Sequence, residues 1–248
     1  MIDLEQHQRE IELNRAAWEK KPLLQKIYAG FYRRIAAQVD PARPGKIVEL
    51  GSGIGNLKSV LPQAITTDLF PNPWLDALCD AYAMPFAAGS VSHLVLFDVF
   101  HHLSAPAAFL REARRVLAPE GRIIFFEPFI SLASFPVYRL GHHEPISLRS
   151  PINLADQPPT PRDYYAAQGN ATRVFFKREF PSLLEGWTVR HAEAFSAFSY
   201  LLSGGYSKPA LYPAQLFPFW LRLDRVLSQF PSVFAARCLV TLQSGTKG

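Results

Sequence analysis

The sequence contains no stretch of about 20 apolar residues, the length a membrane-spanning helix requires. Its richest apolar run, "IIFFEPFISLASF", is interrupted by Glu127 and Pro128. Cysteine is almost absent: Cys79 and Cys238 stand alone in apolar surroundings. Two such residues exclude a disulfide framework and a cysteine-based zinc knuckle, and they predict reduced core thiols in a cytoplasmic protein. The opening "MIDLEQHQRE" has no signal-peptide core. Charged residues make up only 19%, and 26 basic against 21 acidic residues leave a net charge of +5 with no dense Lys/Arg stripe. That argues against a nucleic-acid partner. Glycine is sparse, with 14 in 248 residues, yet three fall within "GSGIG" at 51–55.

What is present is apolar and aromatic. Hydrophobic residues reach 48%, including 19 Phe, 9 Tyr and 4 Trp. That is enough for the core of one domain spanning 1–248. Residues 3 to about 39 predict two helices broken at Pro22. "KIVEL" predicts a short buried strand, followed by the glycine loop and a helix closed by Pro62. "AITTDL", "HLVLFDVF" and "RIIFFEP" predict further strands, with the helix "APAAFLREARRVL" before the last of these and "APEG" as the turn between them. Alternating strands and helices indicate an α/β fold with a mostly parallel sheet and helices on both faces. Residues 131–170, rich in Pro, Ser, His and Tyr, read as an irregular insertion. "ATRVFFKREFPSLLEG" then predicts a helix, "TVRHAEAFSAF" a strand, residues 212–230 a helical segment and "AARCLVTLQ" a last strand.

The glycine loop follows a strand, at the carboxyl edge where open α/β sheets bind ligands. Its spacing is G-x-G-x-G, with Asn56 where a dinucleotide fingerprint has its third glycine. Asp68 ends the next strand, 17 residues after Gly51, where a carboxylate can accept from ribose hydroxyls. The ordered motifs "VELGSGIGNL", "ITTDL", "LCDAYAMPF", "LVLFDVFHHL" and "REARRVLAPEGRIIFFEP" resemble those of class I S-adenosylmethionine-dependent methyltransferases. The likeness is to the small-molecule group of the methyltransferase type 11 kind, over roughly residues 45–130. It implies a Rossmann-like, seven-stranded, mostly parallel sheet whose antiparallel last strand inserts beside "RIIFFEP". It also implies cofactor roles. Glu49 with Gly51, Ser52 and Gly53 would surround the methionine part, and Gly55 would allow close packing beneath it. Asp68 would hold the ribose, Leu69, Asp80 and Ala81 the adenine, and Leu96 and Phe97 would lie by the methionine end. Two positions depart from the family pattern: Ser92 replaces an early Asp of the fourth strand, and Glu120 a turn glycine.

The implied product is S-adenosylhomocysteine, and the implied acceptor is a small apolar or amphiphilic molecule methylated on O, N or C. An RNA methyltransferase and a non-catalytic S-adenosylmethionine-binding protein are the competing readings. An oxygen or nitrogen acceptor needs a base, which histidine suits best. Candidates are His142 and His143 in the insertion, His101 and His102 after the fourth strand, and Glu127. The competing role for the first pair and for Glu127 is structural, the latter paired with Arg139, Arg149 or a backbone amide. Neighbouring residues of a helix or strand diverge, so "HHE" at 142–144 is poor chelate spacing and no metal is expected there. The N-terminal helices 1–44, with Tyr28, Phe31 and Tyr32 on one face, and the segment 199–230 would cover the site. The latter combines Gly204 and Gly205 with aromatics, as a lid hinge or a peripheral membrane contact would.

Overall fold

The computed structural model describes residues 4–141, 144–155, 157 and 165–245. Two helices, α1 (Leu4–Lys20) and α2 (Pro22–Ala36), precede the sheet and break at Pro22. Proline suits the first helical turn because its missing N–H has no intrahelical acceptor there. α2 buries Leu24, Ile27, Tyr28, Phe31, Tyr32 and Ile35, a stripe at helical spacing.

The sheet holds β1 (Lys46–Leu50), β2 (Ile65–Asp68), β3 (Ala77–Leu78), β4 (Val91–Phe97), β5 (Leu117–Pro128), β6 (Trp187–Phe195) and β7 (Arg237–Ser244). Their order is β3-β2-β1-β4-β5-β7-β6. β1 to β5 pair in parallel, and β7 runs antiparallel between β5 and β6, as the family resemblance implies. β1 and β4 are near-continuous apolar runs because helices or the chain cover both faces. α3 (Pro106–Val116) packs on one face with Phe109, Leu110 and Ala113. α2 packs on the other with Val95, Ile124 and Phe126. Both cysteines are buried and free.

Three elements differ from expectation. The helix after the glycine loop is only a 3-10 turn, Asn56–Ser59. Gly55 enters it left-handed without a side-chain cap, and Pro62 disfavours helical geometry at Leu61, so too few residues remain to nucleate an α-helix. The expected helix at 171–186 is a π-helical turn (Thr172–Phe176) and a 3-10 turn (Pro181–Leu184). Arg178 at φ +53° breaks it. Arg173, which a continuous helix would point outward, instead donates to the Ser150 carbonyl at 2.6 Å and to Glu179 at 2.7 Å. β5 begins at Leu117, so "APEG" lies within the strand, and Glu120 takes φ +57° where the family pattern has glycine. The insertion also contains a helix, α4 (Ser134–Gly141). α5 (Phe198–Leu201), α6 (Phe217–Leu227) and α7 (Pro231–Phe234) complete the chain. Among the described residues no helix is long and apolar enough to cross a membrane.

Candidate active site

The carboxyl ends of β1, β2, β4 and β5 share one edge. There the chain leaves β1 through Gly51, Gly53 and Gly55, all at positive φ. A Cβ on Gly51 would meet Val99 Cγ2 at 2.5 Å, and one on Gly55 would meet Trp74 Cδ1 at 3.1 Å. Gly55 therefore packs on Trp74, whose indole N–H donates to the Gly53 carbonyl at 2.7 Å. A Cβ on Gly53 would have nothing within 4 Å. That glycine borders open space, which is where a cofactor would approach the backbone.

Two carboxylates flank this loop. Asp68, at the tip of β2, accepts from the Gly53 amide at 3.1 Å and from the Leu69 amide at 2.7 Å. Both donors are backbone groups, and the lone pairs they leave free can still take hydroxyl donors. Glu49 is 3% exposed, and its Oε2 is buried with no hydrogen-bond partner among the described residues. Burial, which the Ser52 hydrogen bond only partly offsets, pushes its pKa up to about 8. A buried orphan carboxylate oxygen at the methionine end fits the ammonium of S-adenosylmethionine. Leu69 is exposed beside this edge; Asp80 accepts from the Tyr82 amide at 2.9 Å, and Ala81 lies next to it, half-buried. Leu96 differs: its side chain is fully buried in the core on the α3 side, because alternate strand residues face opposite ways.

Phe97 turns to the other face, into an aromatic group at the tip of β4. Its ring lies 5.4 Å from Tyr28, 5.5 Å from Tyr32 and 4.7 Å from Phe126. Tyr200 and Tyr206 close on Tyr28 from the far side. Tyr28, Phe31 and Tyr32 are thus buried core residues packed on the sheet. Lys21, between α1 and α2, donates to the carbonyls of Gly205, Tyr206 and Lys208 at 2.7, 3.0 and 2.7 Å.

The sequence reading missed two residues in this group. Asp98 follows β4 at φ +56°, and Arg237 opens β7. They form a two-pronged ion pair, Nη2 to Oδ2 at 2.8 Å, with the guanidinium 2% exposed and 4.8 Å from the Tyr200 ring. Burial alone would lower the Arg237 pKa, but Asp98 outweighs it and holds it well above the usual value. The available signal was a lone arginine in the apolar run "AARCLVTL".

The base candidates fare unequally. Glu127 is fully buried and accepts from the amides of Val99 and Phe100 at 2.9 and 2.7 Å and from His101 Nδ1 at 2.7 Å. It is a structural acceptor, paired with backbone amides and a histidine rather than with Arg139 or Arg149. His101 lies between Glu127 and Glu144, 3.3 Å from the latter. Burial pushes its pKa down, yet the two glutamates outweigh that and raise it to about 10. A group so placed holds its proton at neutral pH. His102 is one-third exposed, with Nδ1 on the Tyr165 carbonyl at 3.0 Å and Nε2 3.4 Å from Glu144. Burial, then the charge of His101, lowers its pKa, which suits a base. Glu144 and Tyr165 bring the insertion to this edge. His142, His143 and Tyr164 lie outside the described residues.

Comparison with known proteins agrees with this geometry. Residues 48–125 match the methyltransferase domain family. No curated protein sequence matches the chain. Among solved structures, a chain from the complex of the Haloferax volcanii Trm112 methyltransferase activator with a methyltransferase superposes with TM-score 0.53 at 16% identity, covering 97% of this chain and 96% of that one. An S-adenosylmethionine-dependent methyltransferase of Methanosarcina mazei gives 0.50 at 14% identity, over 86% and 97%. The geranyl diphosphate C-methyltransferase of Streptomyces coelicolor, solved with Mg2+, geranyl diphosphate and S-adenosylhomocysteine, gives 0.50 at 11%, over 89% and 81%. Residues 48–125 thus carry a methyltransferase-domain match, and the chain as a whole has the fold of S-adenosylmethionine-dependent methyltransferases.

Proposed function

We propose that the protein transfers the methyl group of S-adenosylmethionine to a small, apolar or amphiphilic acceptor. The observation that carries this is the aromatic group at the tip of β4. Phe97, Tyr200 and Tyr206 are half-buried over the packed rings of Tyr28, Phe31 and Phe126 and would give an acceptor apolar surface, with the Asp98–Arg237 pair beside them. Pockets of that makeup gain affinity from apolar area and orientation from a few polar groups.

In this reading residues 1–248 work as one unit. The N-terminal helices and the 199–230 segment cover the site, and 131–170 forms the acceptor wall. Glu49 and the loop amides bind the methionine part, Asp68 the ribose, and Leu69, Asp80 and Ala81 the adenine. Bound cofactor supplies an activated methyl. The chain then has to place the acceptor in line, exclude water and, for a heteroatom acceptor, take a proton. For the last step we assign His102, a reading its partial exposure and lowered pKa support.

The test uses tritiated-methyl S-adenosylmethionine with quinols, isoprenoid diphosphates (geranyl diphosphate among them), fatty acids, phospholipid vesicles and bulk transfer RNA. Label is expected in an apolar or amphiphilic small molecule. Tyr200→Ala should raise the KM for that molecule roughly 10-fold, the order expected when a half-buried aromatic ring in contact with the acceptor is lost. Label in RNA alone would refute this reading.

A further inference from the structure

The tight turn after β4 and the insertion bring together two imidazoles and a carboxylate that the spacing "HHE" does not predict. Residues 100–102 form a 3-10 turn, not a strand or a regular helix. Here the adjacent rings of His101 and His102 stay close, with centroids 4.1 Å apart and planes at 40°. The partner carboxylate is Glu144, 10% exposed, arriving from the insertion.

Each ring is held by its outer nitrogen. His101 Nδ1 faces Glu127 at 2.7 Å, and His102 Nδ1 faces the Tyr165 carbonyl at 3.0 Å. Acceptors at both Nδ1 atoms hold protons there, and both Nε2 atoms point at one carboxylate, so an ion bound at that side would displace the proton that His101 otherwise shares with Glu144. His101 Nε2 lies 3.3 Å from Oε2 and His102 Nε2 3.4 Å from Oε1 of Glu144. A charge-assisted hydrogen bond would be nearer 2.7–2.9 Å. Donors about 2.0–2.1 Å from a tetrahedral ion lie about 3.3–3.4 Å apart, and each nitrogen meets a different oxygen of Glu144 at that separation, while Oε2 also accepts from Gln168 at 2.9 Å. The donor atoms of all three residues fall within 4.8 Å of one another.

We propose that His101, His102 and Glu144 bind a divalent transition-metal ion through two imidazole nitrogens and a carboxylate oxygen. Glu127 and the Tyr165 carbonyl act as positioning groups that fix both tautomers, the arrangement usual around metal-bound histidines. Two nitrogens and one oxygen select a borderline ion such as Zn2+ or Co2+ over Mg2+ or Ca2+, which prefer all-oxygen sets. His102 is one-third exposed, so the ion has a path from solvent. Among the described residues these three supply the ligands, the number that catalytic zinc sites use with one position left open. The site lies at the same strand edge as the cofactor loop and ties the insertion to the turn after β4. With both His102 nitrogens engaged, the bound ion rather than His102 would then lower the pKa of an acceptor heteroatom at the open position. Metal binding itself does not depend on the acceptor reading.

The test titrates the chelator-stripped full chain with Co2+ and follows the visible absorption of bound cobalt, then repeats the titration with Zn2+ in competition. One ion per chain is expected. Glu144→Gln and His102→Ala should each weaken binding at least 100-fold, and Glu127→Gln roughly 10–100-fold, the usual effect of removing an outer partner. Each variant is checked for unchanged S-adenosylhomocysteine binding, which shows that the fold persists. If Co2+ binds the natural chain no more tightly than the His102→Ala/Glu144→Gln double variant, the proposal is overturned. Selective binding of Mg2+ would overturn it as well.

Discussion

Glu49 gives the most direct handle on the cofactor site. Its carboxyl is buried against the glycine loop, with a pKa up to about 8 because burial disfavours the charged form. In the cofactor-free protein it is therefore largely protonated at pH 6. The ammonium of S-adenosylhomocysteine interacts well only with the carboxylate, so binding must remove that proton. With a free-protein pKa of about 8 and a bound value well below 6, the competent fraction rises from about 1 in 100 at pH 6 to about one half at pH 8. Affinity should accordingly increase about 50-fold, or about 2.3 kcal/mol, across those two units. Isothermal titration of S-adenosylhomocysteine at several pH values reads this directly, together with about one proton released per binding event at pH 6. Glu49→Gln should flatten the slope and, at pH 8, weaken binding by about 1.5–3 kcal/mol, the usual scale for a hydrogen bond to a charged group. Comparing the two proteins at each pH cancels titration of the ligand's own ammonium. A slope that survives in Glu49→Gln, or is absent in the natural protein, would refute the reasoning. The same shift acts on folding in the opposite sense. Between pH 4.5 and about 8 the folded chain binds a proton that the unfolded chain has lost. Stability from this group is thus fully present below pH 4.5 and falls as pH rises, by at most about 5 kcal/mol over that window.

Two further outcomes test the scaffold. Asp98→Asn leaves Arg237 charged and buried without its carboxylate, so urea denaturation should show a loss of about 3–5 kcal/mol, and a change under 1 kcal/mol would contradict the burial argument. Gly51→Ala forces a Cβ at φ +65° to within 2.5 Å of Val99 Cγ2. It should cost about 2–5 kcal/mol by thermal melting. Gly53→Ala, whose Cβ would meet nothing within 4 Å, should cost less stability but more S-adenosylhomocysteine affinity. If the two alanines rank the other way in affinity, the open side of the loop is misassigned.

The parallel core was readable because its strands are short apolar runs joined by turn and helix signals, and the glycine triplet fixed the ligand edge. β3 was not, since two residues at a sheet edge carry no period. The helix expected at 171–186 failed because Arg173 is drawn inward to Ser150 and Glu179, partners that periodicity cannot see. The site divides the same way. Asp68 and Glu49 sit at fixed distances from the loop. Arg237 lies 139 residues from Asp98, and Glu144 reaches His101 only once the insertion has folded back. Contacts of that separation belong to topology, not to local sequence.

Lys21 couples what the sequence separates. It sits at the break between α1 and α2, and its ammonium is ringed by carbonyls from Gly205, Tyr206 and Lys208. α2 roofs the loop through Tyr32, whose ring stands beside Asn56 and Glu49, while the segment it grips supplies Tyr206 against Tyr28. The two segments are consequently joined into one door, with Lys21 as its polar latch beside the ring contacts of Tyr206 with Trp18 and Tyr28. Cofactor exchange and acceptor entry would then share one opening event, so that the residence time of one ligand sets the waiting time of the other.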